Sequence, residues 1–145
     1  MKRIALAILV LTSMSGLAAA DGKIAATLYK QPGCTCCDAY ADYLRENGFD
    51  VTVHERAEMR DAPPRSFVRK ELQGCHSTSI DKYVIEGHVP VGPIKRLLAE
   101  KPDIKGLSLP NMPQGSPGMP GAKQAPFEIL SITDEAGPAP VYMKE

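Results

Sequence analysis

Three cysteines, Cys34, Cys36 and Cys37, fall within four positions of the stretch "YKQPGCTCCDAYADYL" (29–44), straight after a strand-like run. The run "KIAATLYKQ" (23–31) has β-type content and predicts a first strand. Pro32-Gly33 break it, and a helix is expected from about Cys36. Tyr40, Tyr43 and Leu44 recur at helical spacing behind the cysteines, with Asn47-Gly48 as the stop. "FDVTVHE" (49–55) alternates Phe49, Val51 and Val53 with polar residues, as a half-buried strand does. A strand–helix–strand crossover makes the two strands parallel and leaves the cysteine loop at the C-terminal edge of the first. That edge is where α/β sheets place their ligands.

Further along, Asp61 with Pro63 and Pro64 predicts a second helix carrying Phe67, Val68 and Leu72 and ended by Gly74. "STSIDKYVIEGHVP" (77–90) reads as a hairpin with Glu86-Gly87 as the turn. Pro93 opens a helix with Ile94, Leu97 and Leu98 on one face, closing near Lys101-Pro102. Nine of the 21 residues in 106–126 are Gly or Pro, which predicts a loop. "FEILSIT" (127–133) and "APVYM" (139–143) suggest a closing strand pair. The order predicts an α/β, thioredoxin-like domain: a mixed central sheet flanked by helices, with a Pro/Gly/Met-rich loop and a C-terminal strand pair. The 145 residues suffice for one such domain.

The first residues, "MKRIALAILVLTSMSGLAAADG", read as a secretory signal. Lys2 and Arg3 form a basic start, Ile4 to Leu11 an apolar stretch, and Ala18 and Ala20 occupy the positions that a signal peptidase reads. The apolar run is far short of the roughly 20 residues of a membrane span. A signal peptide over 1–20 and a domain over 21–145 are therefore expected. Removing Lys2 and Arg3 leaves 15 basic residues against 17 acidic ones, with no basic patch for nucleic acid and no second membrane segment.

Export bears on the cysteines, because unpaired thiols outside the cytosol tend to be oxidised or metal-bound. Cys34, Cys36, Cys37 and Cys75 allow three pairings, and adjacent Cys36 and Cys37 make a purely structural framework awkward. A helix N-terminus stabilises anions and lowers thiol pKa values, so all three loop cysteines are chemically active candidates. One reading is a thiol–disulfide oxidoreductase with Cys34 attacking and Cys37 resolving. Oxidoreductases of this fold present a proline before the third strand, whereas "QGCHSTSI" (73–80) offers Cys75 and His76 instead. The other reading is a metal site. Thiolates and thioethers favour Cu(I), imidazole suits Cu, Zn and Ni, and only one zinc-type C-x2-C pair is present. Successive helical residues diverge by about 100°, so Cys36 and Cys37 would bridge neighbouring ions rather than chelate one. Met112 and Met119, in a polar loop, are thioether candidates or exposed gap-fillers. His76 is better placed than His88, for which a structural role is equally consistent; His54, Met59 and Met143 read as structural.

Four motifs in order, "CTCC" (34–37), "GCHS" (74–77), "YVIEGHVP" (83–90) and "MPQGSPGM" (112–119), resemble the CopG-type copper-resistance proteins, small exported thioredoxin-like domains catalogued as a domain of unknown function. The resemblance runs from about Tyr29 to Tyr142. It implies periplasmic copper handling, a thiolate-bridged multicopper centre and a role in copper redox interconversion. Residue by residue it points to Cys34, Cys36, Cys37 and Cys75, then to His76, His88, Met112 and Met119. The partners expected are copper ions, with other periplasmic copper-handling proteins or an electron donor. A passive copper chaperone and the thiol–disulfide oxidoreductase stay open as alternatives.

Overall fold

The structure, a computed structural model, describes residues 22–145; the expected signal peptide lies outside them. The described residues form β1 (Ile24–Lys30), α1 (Thr35–Glu46), β2 (Phe49–Glu55), β3 (His76–Ile80), β4 (Tyr83–Gly87), α2 (Val91–Glu100), β5 (Gly106–Leu109), β6 (Glu128–Ile132) and β7 (Val141–Lys144). They build one mixed sheet in the order β2-β1-β3-β4-β5-β6-β7. β1 runs parallel to β2, as a crossover through α1 requires. β3 lies antiparallel to β1 with Lys30 opposite His76. That pairing matters for function: it brings the end of β1, which leads into the cysteines, beside the start of β3, which follows Cys75.

The period-2 alternation of the strands divides the sheet into two faces. On one, Tyr40, Ala41 and Leu44 of α1 and Ile94 and Leu97 of α2 pack on Leu28, Ile80, Ile85, Leu107 and Ile129. Each fully buried aliphatic side chain of that set stabilises the fold by about 1.5–3 kcal/mol. The two helices are also tied together: Tyr40 Oη donates to the Val89 carbonyl (2.8 Å) and the Val91 amide donates to Tyr43 Oη (3.0 Å). The opposite face carries a smaller cluster of Val68, Leu72, Val84 and Ile132. α2 ends where Lys101 turns left-handed (φ 48°) before Pro102, as expected.

Three sequence expectations are corrected. The helix expected from Asp61 is instead a set of short 3-10 turns at Met59–Asp61, Pro63–Phe67 and Lys70–Leu72. Val68 between them is extended (φ −86°, ψ 123°), and Phe67, expected on that helix, is 46% exposed. Arg65 is drawn inward to buried Glu86 at 2.8 Å, a tertiary contact that the apolar pattern does not report. The β3–β4 turn is at Asp81-Lys82, where Asp81 is left-handed (φ 53°), and not at Glu86-Gly87, which close β4. Finally, Gly106–Leu109, expected as loop, is a buried strand parallel to β4. Gly106 fits there because a Cβ would stand 1.7 Å from the Val84 carbonyl oxygen.

Candidate metal centre

Cys34 is the N-cap of α1, so the cysteines occupy its first turn. Cys34 and Cys37 form a disulfide with their Cα atoms 5.3 Å apart, and Cys36 and Cys75 are free thiols. Adjacent Cys36 and Cys37, expected to diverge, have their sulfurs within 4.8 Å of each other and of those of Cys34 and Cys75. Cys36 Sγ lies 3.6 Å from Cys34 Sγ, and Cys37 Sγ lies 3.7 Å from Cys75 Sγ. Cys37 is fully buried and the other three sulfurs are half-buried. Behind the loop, buried Lys30 holds Asp38 of α1 (3.0 Å) and Glu55 of β2 (3.1 Å), which pins the first helical turn to the strand ends.

The second half of the cluster comes from the ends of β3 and β4. Cys75 Sγ is 3.3 Å from His76 Nδ1 and 3.2 Å from His88 Nε2. Both imidazoles are fully buried. They stand edge-on to each other with centroids 4.7 Å apart, and the Tyr40 ring packs against both, at 4.5 and 5.4 Å. The backbone itself brings the two strands together. A Cβ at Gly74 would stand 2.5 Å from Gly87 Cα, so glycine is required for the approach. Gly74 is clamped on both sides: its amide donates to Glu86 Oε2 (2.9 Å) and its carbonyl accepts from Arg65 (2.9 Å). Arg65 also donates to Ser77 Oγ (3.1 Å), and Ser77 donates to Glu86. Cys75 and His76 thus sit between two residues tethered to one buried ion pair.

Electrostatics favour neutral groups here. Burial pushes the Cys75 thiol up to about 12, reinforced by neighbouring Cys36. Burial holds His76 well below the usual imidazole range, with His88 and Arg65 adding to the effect. Burial also lowers His88, against the raising effect of the Pro117 carbonyl. His76 Nε2 is buried without a hydrogen-bond partner. Two groups of donor atoms result, Cys34–Cys36–Cys37–Cys75 and Cys75–His76–His88, within each of which the ligand atoms lie within 4.8 Å of one another. Cys75 belongs to both. A neutral imidazole and a thiol that loses its proton to a metal are the donor forms that soft and borderline ions take.

Of the residues singled out from the sequence, the four cysteines, His76 and His88 are therefore brought together. His88 escaped firm assignment because the turn was placed one strand-length too late; with the turn at Asp81-Lys82 it lies at the end of β4, facing Cys75. Met119 is half-buried beside Gly118, whose backbone packs on Cys36 and Tyr40, while Met112 is 40% exposed in a left-handed turn (φ 46°). His54 is exposed and stacks on Tyr29, Met59 is buried and Met143 packs on the core. Sequence reasoning missed Tyr40 as the aromatic wall of the site, and the Arg65–Glu86 pair behind it. The glycine before Cys75 was the available signal for the close strand approach.

A family model described as a protein of unknown function, DUF411, matches residues 72–119. Two solved structures are similar over most of the chain, copper resistance protein copG in form 2 and in form 1. Each is 35% identical and covers 85% of this chain and 98% of its own, with TM-scores of 0.75 and 0.74. No curated protein matches the chain.

Proposed function

The chain belongs to the family of the CopG-type copper-resistance proteins, and on that footing we propose that it binds copper at the cluster of Cys34, Cys36, Cys37, Cys75, His76 and His88. The observation that carries this reading is the double donor group hinged on Cys75. The residues fit the ion: sulfur suits Cu(I), imidazole suits either oxidation state, and Nδ1 of His76 and Nε2 of His88 both face the Cys75 sulfur. Met119, beside the Gly118 contact, and Met112, farther along the loop, are the thioether candidates of the same site.

Four sulfurs paired across two residue contacts support a thiolate-bridged site with more than one ion, and the imidazole edge supports exchange between Cu(I) and Cu(II). Before all four sulfurs are available, the Cys34–Cys37 disulfide must take up two electrons and two protons from a dithiol reductant, which is itself oxidised to a disulfide, releasing two thiols. The fold is read as thioredoxin-like, on the strand order β2-β1-β3-β4 with the crossover through α1. The working compartment is read as the periplasm, on the basic–apolar–small pattern of residues 1–20; N-terminal sequencing of exported protein tests it. Anaerobic titration of reduced protein with Cu(I), joined to X-ray absorption at the copper edge, tests the site. Sulfur-dominated coordination with a short copper–copper distance is expected. Trace binding only, or undiminished binding by Cys36→Ser, overturns the proposal.

One observation favours a second reading. The Cys34–Cys37 disulfide joins a half-buried sulfur to a fully buried one, as in a thiol–disulfide oxidoreductase. Cys75 stands where such an enzyme would present a proline to its peptide substrate. Robust insulin reduction by metal-free protein would establish this reading instead. A passive chaperone is separated from a redox protein by comparing copper transfer to a chelator with the rate of copper reduction and reoxidation.

A further inference from the structure

The Pro- and Gly-rich segment between β5 and β6 is folded upon itself beside the cluster. The Ser116 amide donates to the Pro113 carbonyl (3.2 Å), the Met119 amide to the Ser116 carbonyl (2.8 Å) and the Gly115 amide to the Pro120 carbonyl (3.2 Å). Ser116 Oγ, in a residue only 2% exposed, also donates to the Pro113 carbonyl at 2.7 Å. Gly118 seats this loop on the first turns of α1. Its φ is +80°, and a Cβ there would stand 2.8 Å from both the Cys36 carbonyl oxygen and the Tyr40 amide nitrogen. Held between these anchors, the Pro117 carbonyl oxygen lies 2.7 Å from His88 Nδ1.

A carbonyl oxygen offers only lone pairs, so a ring nitrogen at that distance must bring the proton. A neutral imidazole has one N–H, and the Pro117 carbonyl takes it at Nδ1. Nε2 is then a bare lone pair, and it is Nε2 that faces Cys75 Sγ at 3.2 Å. We infer that the Pro117 carbonyl, held by the Gly118 contact, fixes His88 as the Nδ1–H tautomer and so aims the Nε2 lone pair at the Cys75 side of the cluster. The loop is a positioning element for the imidazole. Its value for a metal rests on the copper reading above; the tautomer does not.

The test uses long-range nitrogen–proton NMR on metal-free protein with the disulfide intact, which distinguishes the two ring nitrogens. Wild type should show His88 protonated at Nδ1 and bare at Nε2. Gly118→Ala should lift the loop, give a mixture of tautomers and weaken Cu(I) binding by the reduced protein about 10–100-fold, the usual cost of losing a ligand's outer hydrogen-bond partner. Gly121→Ala is the control: it has similar backbone strain (φ +89°), but the nearest atoms to its Cβ belong to the Gln114 side chain, at 3.2 Å and beyond. It should keep the wild-type tautomer and affinity. A wild-type His88 protonated at Nε2 overturns the inference, as does a Gly118→Ala protein whose tautomer and affinity match those of Gly121→Ala. The expected tautomer in a protein that binds no copper supports the loop's role and overturns the copper reading alone.

Discussion

Cys34, Cys36 and Cys37 stand on one turn of chain at the start of α1, whereas Cys75, His76 and His88 come from the ends of two strands and meet because β3 and β4 pair. The loop half is local, holds the half-buried sulfurs Cys34 and Cys36, and contains the Cys34–Cys37 disulfide. The strand half supplies both fully buried imidazoles, and its backbone is fixed by glycine contacts and the Arg65–Glu86 pair. Damage to the loop half should therefore change chemistry and spare the fold. Damage behind the strand half should reach both.

The largest effect that would break this contrast lies at Glu86, which is fully buried beside Arg65. Glu86→Ala leaves a buried guanidinium and the Gly74 amide without their acceptor and should lower unfolding stability by about 3–5 kcal/mol in urea titrations. A loss under 1 kcal/mol would mean that the strand half is not fixed from behind. Next comes Cys75→Ser, which removes the sulfur common to both donor groups. Competition against a Cu(I) chelator should show a loss on the order of 100-fold or more, about 2.8 kcal/mol; Cys34→Ser should lose less. Equal losses would erase the distinction between the halves. Reducing the Cys34–Cys37 bond, which closes a loop across a separation of 3 residues, should cost only about 2 kcal/mol of stability by loop-closure entropy. A reduced protein that unfolds outright would show the loop half to be structural. The smallest effect is expected for Tyr40→Phe, which keeps the wall of the site but removes the bond to the Val89 carbonyl. A loss of about 1 kcal/mol, with Cu(I) affinity unchanged, is the expected result.

The same contrast explains what could be read in advance. β1, α1 and β2 were legible because their apolar periods and the Pro32-Gly33 and Asn47-Gly48 breaks all agree. The loop cysteines were legible because their spacing is itself the signal. The strand half was legible only in part. His76 adjoins Cys75 in sequence, but His88 is brought to it by a hairpin whose turn lies at Asp81-Lys82, positions with a weaker turn signature than Glu86-Gly87. The segment 59–72 was misread because its helical pattern competes with the pull of Arg65 towards Glu86, and no periodicity reports a buried ion pair. β5 was hidden in a stretch whose later glycines and prolines dominate its composition.

Gly74 and Gly87 touch main chain to main chain, with no side chain between them. The separation of Cys75 from His88 is thus set by covalent geometry and not by how neighbouring side chains interdigitate. The apolar interior can drift, exchanging one aliphatic residue for another, without spreading the mouth of the cluster. Insulation of that kind suits a lineage in which chains only 35% identical retain one architecture, and it marks the two glycines as positions where a side chain would force the strand ends apart.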